Sequence, residues 1–181
     1  MHVDRIHHVA YRCRDARQTV DWYKTMLNMD FVLAIAEDEV PSTGEPDPYM
    51  HVFLDAGGGN VLAFFELPSR PPMGRDPNTP AWVQHIAFRV KDRATLLQFR
   101  QHLLDHGVDV VGPTDHGAFH SIYCFDPNGH RVELACPDEH EADVVARLDA
   151  VKWRMLDDWT ATRRAPRHAD FLHARERSRD A

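Results

Sequence analysis

The apolar positions follow two rhythms along most of the chain. Around "IHHVAYRC" they alternate, with Val9, Tyr11 and Cys13 on one side and His8, Ala10 and Arg12 on the other, the period of a strand with one covered face. The spacing then turns helical: Val20, Trp22, Tyr23, Met26 and Leu27 follow Asp15, a good N-cap residue. Three strand-like stretches follow, "DFVLAIAE", "YMHVFLDA" and "NVLAFFEL". The same succession then recurs. "VQHIAFRV" alternates; Asp92 precedes a helix with Leu96, Leu97, Phe99, Leu103 and Leu104; Gly107 suits its C-terminal end; and "VDVVG", "HSIYCFD" and "HRVELA" read as strands. From Asp138 the rhythm changes. Val144, Leu148, Val151, Met155, Leu156 and Trp159 predict one helix over Glu141–Thr160, ahead of a basic tail, "RRAPRHADFLHARERSRD".

Superposing "IHHVAYRCRDARQTVDWY" on "VQHIAFRVKDRATLLQFR" aligns His8 with His85, a shift of 85 − 8 = 77 residues, and Asp15 with Asp92. Each copy predicts β-α-β-β-β. The expected fold class is α+β: two βαβββ repeats forming a curved mixed sheet, plus a C-terminal helix. The expected boundaries are residues 1–68 for the first repeat, 69–80 for a proline-rich linker, 81–137 for the second repeat, and 138–181 for the helix and tail.

Composition narrows the function classes. A net charge of −7 disfavours nucleic acid as the main partner. No apolar run approaches the roughly 20 residues of a membrane span. The N-terminal stretch has no signal-peptide core, and Cys13, Cys124 and Cys136 form no CxxC pair, so reduced thiols in the cytoplasm are expected. The 13 histidines are unusual for 181 residues. His2, His140, His168 and His173 fall in loops or tails, whereas His8 and His85 fall in strands.

In "HSIYCFDPNGHRVELA", Asp126-Pro127-Asn128-Gly129 is strong turn chemistry between two strands. Alternation places Glu133 in mid-strand among apolar neighbours, where a carboxylate is costly unless paired. The face opposite the helices is expected to carry His8, His85, Glu133 and, by the same parity, Glu66. Two imidazoles with one or two carboxylates suit a divalent metal with open positions, Fe(II), Mn, Ni or Zn. Glu66 has an alternative as a partner of Arg12 or Arg89. Leu62, Phe64 and Phe119 are expected on the concave face, suited to an aromatic or partly apolar molecule.

The doubled pattern with His8, Glu66, His85 and Glu133 resembles the vicinal oxygen chelate superfamily over roughly residues 3–137. That superfamily includes glyoxalase I, type I extradiol dioxygenases, methylmalonyl-CoA epimerase and the fosfomycin and bleomycin resistance proteins. The resemblance implies paired modules around a metal that a substrate chelates through two adjacent oxygens. "TDHGAFHSIYCFDPNGHRVE" looks like the extradiol dioxygenase signature, matched at His116, Ile122-Tyr123, Asp126-Pro127, Gly129 and Glu133. It implies His8 and His85 as the other iron ligands, with Tyr123 and His116 hydrogen-bonding the substrate diol. Two positions depart from that pattern. Asn60 stands where ring-cleaving enzymes carry an acid–base His, with His51 one strand earlier. Glu66 stands where glyoxalase I has a fourth ligand. Arg12 matches an Arg of glyoxalase I, but Arg70 replaces the Asn that follows its ligand Glu.

The leading expectation is therefore an Fe(II) extradiol-type dioxygenase acting on a small substrate with vicinal oxygens. A redox-neutral glyoxalase-like lyase, isomerase or epimerase is the alternative, with Glu66 or Glu133 as base. A binding protein of the resistance type is the third reading. The helix over Glu141–Thr160, with Trp153 and Trp159, is expected either to pair subunits in a twofold homodimer or to fold back on its own domain.

Overall fold

The computed structural model describes residues 2–173. Eight strands and three α-helices follow one another as β1 (Val9–Cys13), α1 (Ala16–Leu27), β2 (Phe31–Glu39), β3 (Pro46–Asp55), β4 (Val61–Glu66), β5 (His85–Arg89), α2 (Arg93–Asp105), β6 (Val111–Asp115), β7 (Phe119–Phe125), β8 (Arg131–Pro137) and α3 (Glu141–Thr162). A 3-10 segment, Arg167–His173, ends the described chain. Residues 174–181 of the basic tail lie outside the described residues.

The strands form two four-stranded sheets, ordered β1-β4-β3-β2 and β5-β8-β7-β6. The two repeats thus have one topology, and the fold is α+β as expected. β1 runs parallel to β4, and β3 runs antiparallel to both β4 and β2, so the first sheet is mixed. The described chain divides into two compact units. One comprises the residues up to Ile86 together with Phe125–Val132; the other comprises Ala87–Cys124 and the residues from Glu133 on.

In the first unit, α1 starts where Asp15 accepts the Gln18 N–H at 2.7 Å and ends where Asn28 turns left-handed at φ 54°. Its apolar stripe, including Val20, Tyr23, Met26 and Leu27, is buried. The ring of fully buried Tyr23 lies 5.1 Å from that of Phe64. Each such side chain stabilises the unit by about 1.5–3 kcal/mol. Register assigns the faces. Tyr11, Phe64 and Val52 share a row, as do Val9, Leu62 and Leu54. Leu62 and Phe64 are therefore core residues beneath α1, at 1% and 0% exposure, and not the concave lining expected.

The same unit contains the tip of the β7–β8 hairpin. Asp126 and Asn128 are buried. Tyr23 donates to the Asp126 carboxylate at 3.2 Å, Asn128 donates to Thr19 Oγ1 at 3.1 Å, and the Arg14 N–H donates to Asn128 Oδ1 at 2.9 Å. The turn chemistry is thus spent on holding the tip against α1 as well as on reversing the chain.

In the second unit, Asp92 caps α2 as expected, and Gly107 continues past the helix end at φ 74°. The strand expected over "VDVVG" starts late, at Val111. Gly112 sits at φ 101°, where an added Cβ would lie 2.6 Å from the Ser121 carbonyl oxygen. This close backbone approach shifts the pairing between Val111 and Thr114. The C-terminal helix begins where expected and runs two residues further. Its start is anchored by buried Val144 and by Arg89 on Glu141 at 3.1 Å. Further on, Arg147 lies 3.6 Å over the Phe171 ring, and the 3-10 segment meets the β6–β7 loop at Gly117. Trp153 is 69% exposed and Trp159 45%. None of the helices, among the described residues, is long and apolar enough to cross a membrane.

Candidate functional site

Glu133 lies on β8 and is 4% exposed. Its Oε1 accepts from the Ser121 hydroxyl in a short contact and from the Tyr123 hydroxyl at 3.3 Å. His116 Nε2 lies 2.8 Å from the same phenol oxygen, and its ring stacks on Phe119 at 4.7 Å between centroids. Three residues singled out in the sequence, His116, Tyr123 and Glu133, therefore form one hydrogen-bonded line. The hydroxyls offset the desolvation of a buried carboxylate. Ser121 was missed in the sequence. Its parity with Tyr123 was the available signal, because residues two apart on a strand share a face.

His8 directly precedes β1, and its ring lies 6.2 Å from that of His51 and 6.0 Å from that of Phe53. His51 is buried between rings, stacked on Phe65 at 3.6 Å and 4.0 Å from Phe53. Burial, and then the neighbouring charge of His8, lowers the His51 pKa below the ordinary imidazole value. In register, Ala10, Ala63 and Phe53 share one row and Arg12, Phe65 and His51 the next. This is the face away from α1, and it carries His8.

Glu66 is on the other face. It pairs with Cys13 across β1 and β4, and its Oε2 accepts the Ala16 N–H at 2.7 Å, the first amide of α1. A carboxylate there satisfies an orphan helix donor and favours the helix dipole. The expectation that Glu66 shares a face with His8 is thus corrected by the register. Counting from the start of each strand explains why. The third residue of β8 is Glu133, and the third of β4 is Ala63. The two glutamates that look equivalent in "FFEL" and "VEL" are three positions out of step. The pairing of Glu66 with Arg12 or Arg89 that was the alternative is also replaced: Arg12 Nη2 donates to the Pro71 carbonyl at 2.7 Å, and Arg89 pairs with Glu141. On the same buried side, Cys13 has its thiol pKa pushed up to about 11, chiefly by burial.

The residues suit a divalent metal in their chemistry. His85 Nδ1 lies 3.0 Å from the Val83 carbonyl oxygen. That contact puts the ring proton on Nδ1 and the lone pair on Nε2, the arrangement of a ligating imidazole. Glu133 is a carboxylate oriented by two hydroxyls. Among the described residues, no three His, Cys, Asp or Glu side chains are drawn together as a ready metal cluster. A cavity of about 900 Å³ is lined by Tyr11, Arg14, His85 and His130. Tyr11 belongs to the α1 face, so this space is not the surface that His8 and His51 share.

A family model, the Glyoxalase/Bleomycin resistance protein/Dioxygenase superfamily, matches residues 5–134. "Putative ring-cleaving dioxygenase MhqA" of Bacillus subtilis (strain 168) is 29% identical over 84 residues, covering 46% of this chain and 27% of that protein. The chain thus matches about a quarter of that relative's length. Among solved structures, a glyoxylase/bleomycin resistance protein/dioxygenase domain from Frankia sp. EAN1pec aligns with a TM-score of 0.60 at 17% identity, over 76% of this chain and 100% of that one. The fosfomycin resistance protein FosX of Listeria monocytogenes, solved with Mn(II) and sulfate, aligns with a TM-score of 0.55 at 16% identity, over 78% and 98%. Similarity at these identities carries the fold. With the family match spanning most of the sequence, the chain belongs to the glyoxalase/bleomycin resistance protein/dioxygenase superfamily, a family of small-molecule proteins that is mostly enzymatic and typically uses a divalent metal.

Proposed function

We propose that this protein is a ring-cleaving dioxygenase of the extradiol type, with His8, His85 and Glu133 holding Fe(II) and an aromatic vicinal diol as substrate. The observation that carries the reading is the line His116–Tyr123–Glu133, with 2.8 Å and 3.3 Å between successive polar atoms. When bound, the metal supplies a site at which the diol and O₂ react. O₂ is the oxidant; both its atoms enter the product, and the ring C–C bond beside the diol breaks.

The chain's own residues handle orientation. Tyr123 presents its phenol oxygen between an imidazole and a carboxylate, so it can hold a substrate hydroxyl in one orientation. With the phenol's one proton directed at Glu133, His116 Nε2 donates to the phenol oxygen and fixes its orientation toward a bound hydroxyl. Ser121 keeps the Glu133 carboxylate in place while this happens. Ala63, at the position matching Glu133 in the first repeat, offers no fourth carboxylate. Three protein ligands leave room for a diol and O₂ together, which favours a dioxygenase over a redox-neutral isomerase.

The test is metal analysis combined with turnover of catechols in variants. His8→Ala and His85→Ala should lose most bound iron. Tyr123→Phe and His116→Ala should keep iron and turn over more slowly. Full metal retention in either ligand variant would overturn the ligand set. Normal turnover in Tyr123→Phe would move the assignment to the isomerase class.

A further inference from the structure

The chain runs on past residue 134, where the family match ends. Residues 156–165, at the end of α3 and just beyond it, are exposed; Phe171 and Leu172, in the 3-10 segment Arg167–His173, are half-buried again. Three contacts hold this segment against its own unit. His168 Nε2 lies 2.8 Å from the Asp158 carboxylate. The Arg147 guanidinium lies 3.6 Å over the Phe171 ring. The Leu172 backbone packs on Gly117, where an added Cβ would lie 2.7 Å from the Leu172 carbonyl oxygen and 3.5 Å from its Cα.

Gly117 directly follows His116. It sits at φ 79°, a left-handed conformation that favours glycine, and its missing side chain leaves the notch that the Leu172 backbone fills. The turn around it is short. The His116 N–H donates to the Phe119 carbonyl at 2.9 Å, and the Gly117 N–H donates to the Asp115 carboxylate at 2.7 Å. The His116 ring stacks on Phe119 and stands 2.8 Å from the Tyr123 phenol oxygen. Glycine has more backbone freedom to lose than any other residue, and turns of this kind belong to the part of a fold that opens most readily. A contact that covers Gly117 therefore bears on where the neighbouring imidazole sits.

We infer that Phe171 and Leu172 are positioning residues for His116: the C-terminal segment is a strap that holds the Gly117 turn and, with it, the imidazole at the Tyr123 phenol. This deepens the dioxygenase reading and rests on it only for the use of His116 in turnover. The seating of the strap requires neither metal nor substrate.

The experiment is amide hydrogen exchange on the full-length protein, read by NMR at residues 116–119 and, for reference, along β3 in the other unit. The double variant Phe171→Ala/Leu172→Ala should exchange about two- to fivefold faster at 116–119, the fold-change expected for loss of one exposed cation–π contact, with β3 unchanged. Arg147→Ala, which leaves the strap's own sequence intact, should do the same. Phe171→Tyr keeps a ring for Arg147 and should keep the wild-type rate. In the iron-loaded protein with catechol as probe, the two disruptive variants should lower kcat at unchanged iron content, and Phe171→Tyr should not. Wild-type exchange at 116–119 in both disruptive variants would overturn the strap. So would faster exchange in every element at once, since the segment would then stabilise the whole fold and not this turn. Faster exchange at the turn with an unchanged kcat would overturn the positioning of His116. If exchange responds as expected but the wild-type protein consumes no diol, the strap stands and the dioxygenase reading falls. If diols turn over and the turn does not respond, the reverse holds.

Discussion

The two repeats share a topology but differ at the third residue of their last strands. In the second repeat this residue is Glu133, buried and oriented by Ser121 and Tyr123, with His116 behind the phenol. In the first it is Ala63, fully buried between Ala10 and Phe53, while that repeat's own glutamate, Glu66, holds the start of α1. The second repeat carries a line of oriented polar groups, and the first carries an aromatic cluster of Phe53, Phe65 and His51. Equivalent places in a duplicated unit thus carry side chains of different chemistry.

Substitutions can break this contrast or sharpen it. The largest effect is expected from Glu133→Ala, which makes the second repeat resemble the first. Metal content and turnover should both collapse, read by metal analysis and product formation. Next, Tyr123→Phe removes the phenol between His116 and Glu133, and kcat should fall by about a hundredfold or more with metal retained. Asp126→Ala should leave metal binding intact but destabilise the fold by about 1–3 kcal/mol, because Tyr23, Asn128 and the His130 amide lose a buried acceptor. Chemical denaturation measures it. The smallest effect belongs to Glu66→Gln, which should cost about 0.3–1 kcal/mol of helix-terminus stabilisation and leave metal stoichiometry unchanged. A loss of metal in this variant would return Glu66 to the ligand set and end the contrast.

The repeat, its helices and the Asp15 and Asp92 caps were legible in the sequence, because hydrophobic period and capping chemistry are local signals. His116, Tyr123 and Glu133 were legible as a group through strand parity and the resemblance to ring-cleaving enzymes. Glu66 was misplaced because parity only propagates from a correct register. The register between β1 and β4 is set by a parallel pairing across some 50 residues, which no local pattern encodes. Leu62 and Phe64 followed the same error. His51 was singled out only as the histidine one strand before Asn60; its burial between Phe53 and Phe65 depends on strand pairing that no local pattern encodes. Trp153 and Trp159 are exposed, whereas Val144 and Arg147 pack within their own unit, so the dimer helix and the self-packed helix both stand as proposals. Truncation after Pro137 followed by light scattering decides between the two.

The most direct test of the central claim is oxygen uptake by the Fe(II)-loaded protein over a panel of catechols. The account predicts one O₂ consumed for each diol lost, with activity that disappears in His85→Ala. A protein that holds its iron and consumes no oxygen with any diol would contradict it.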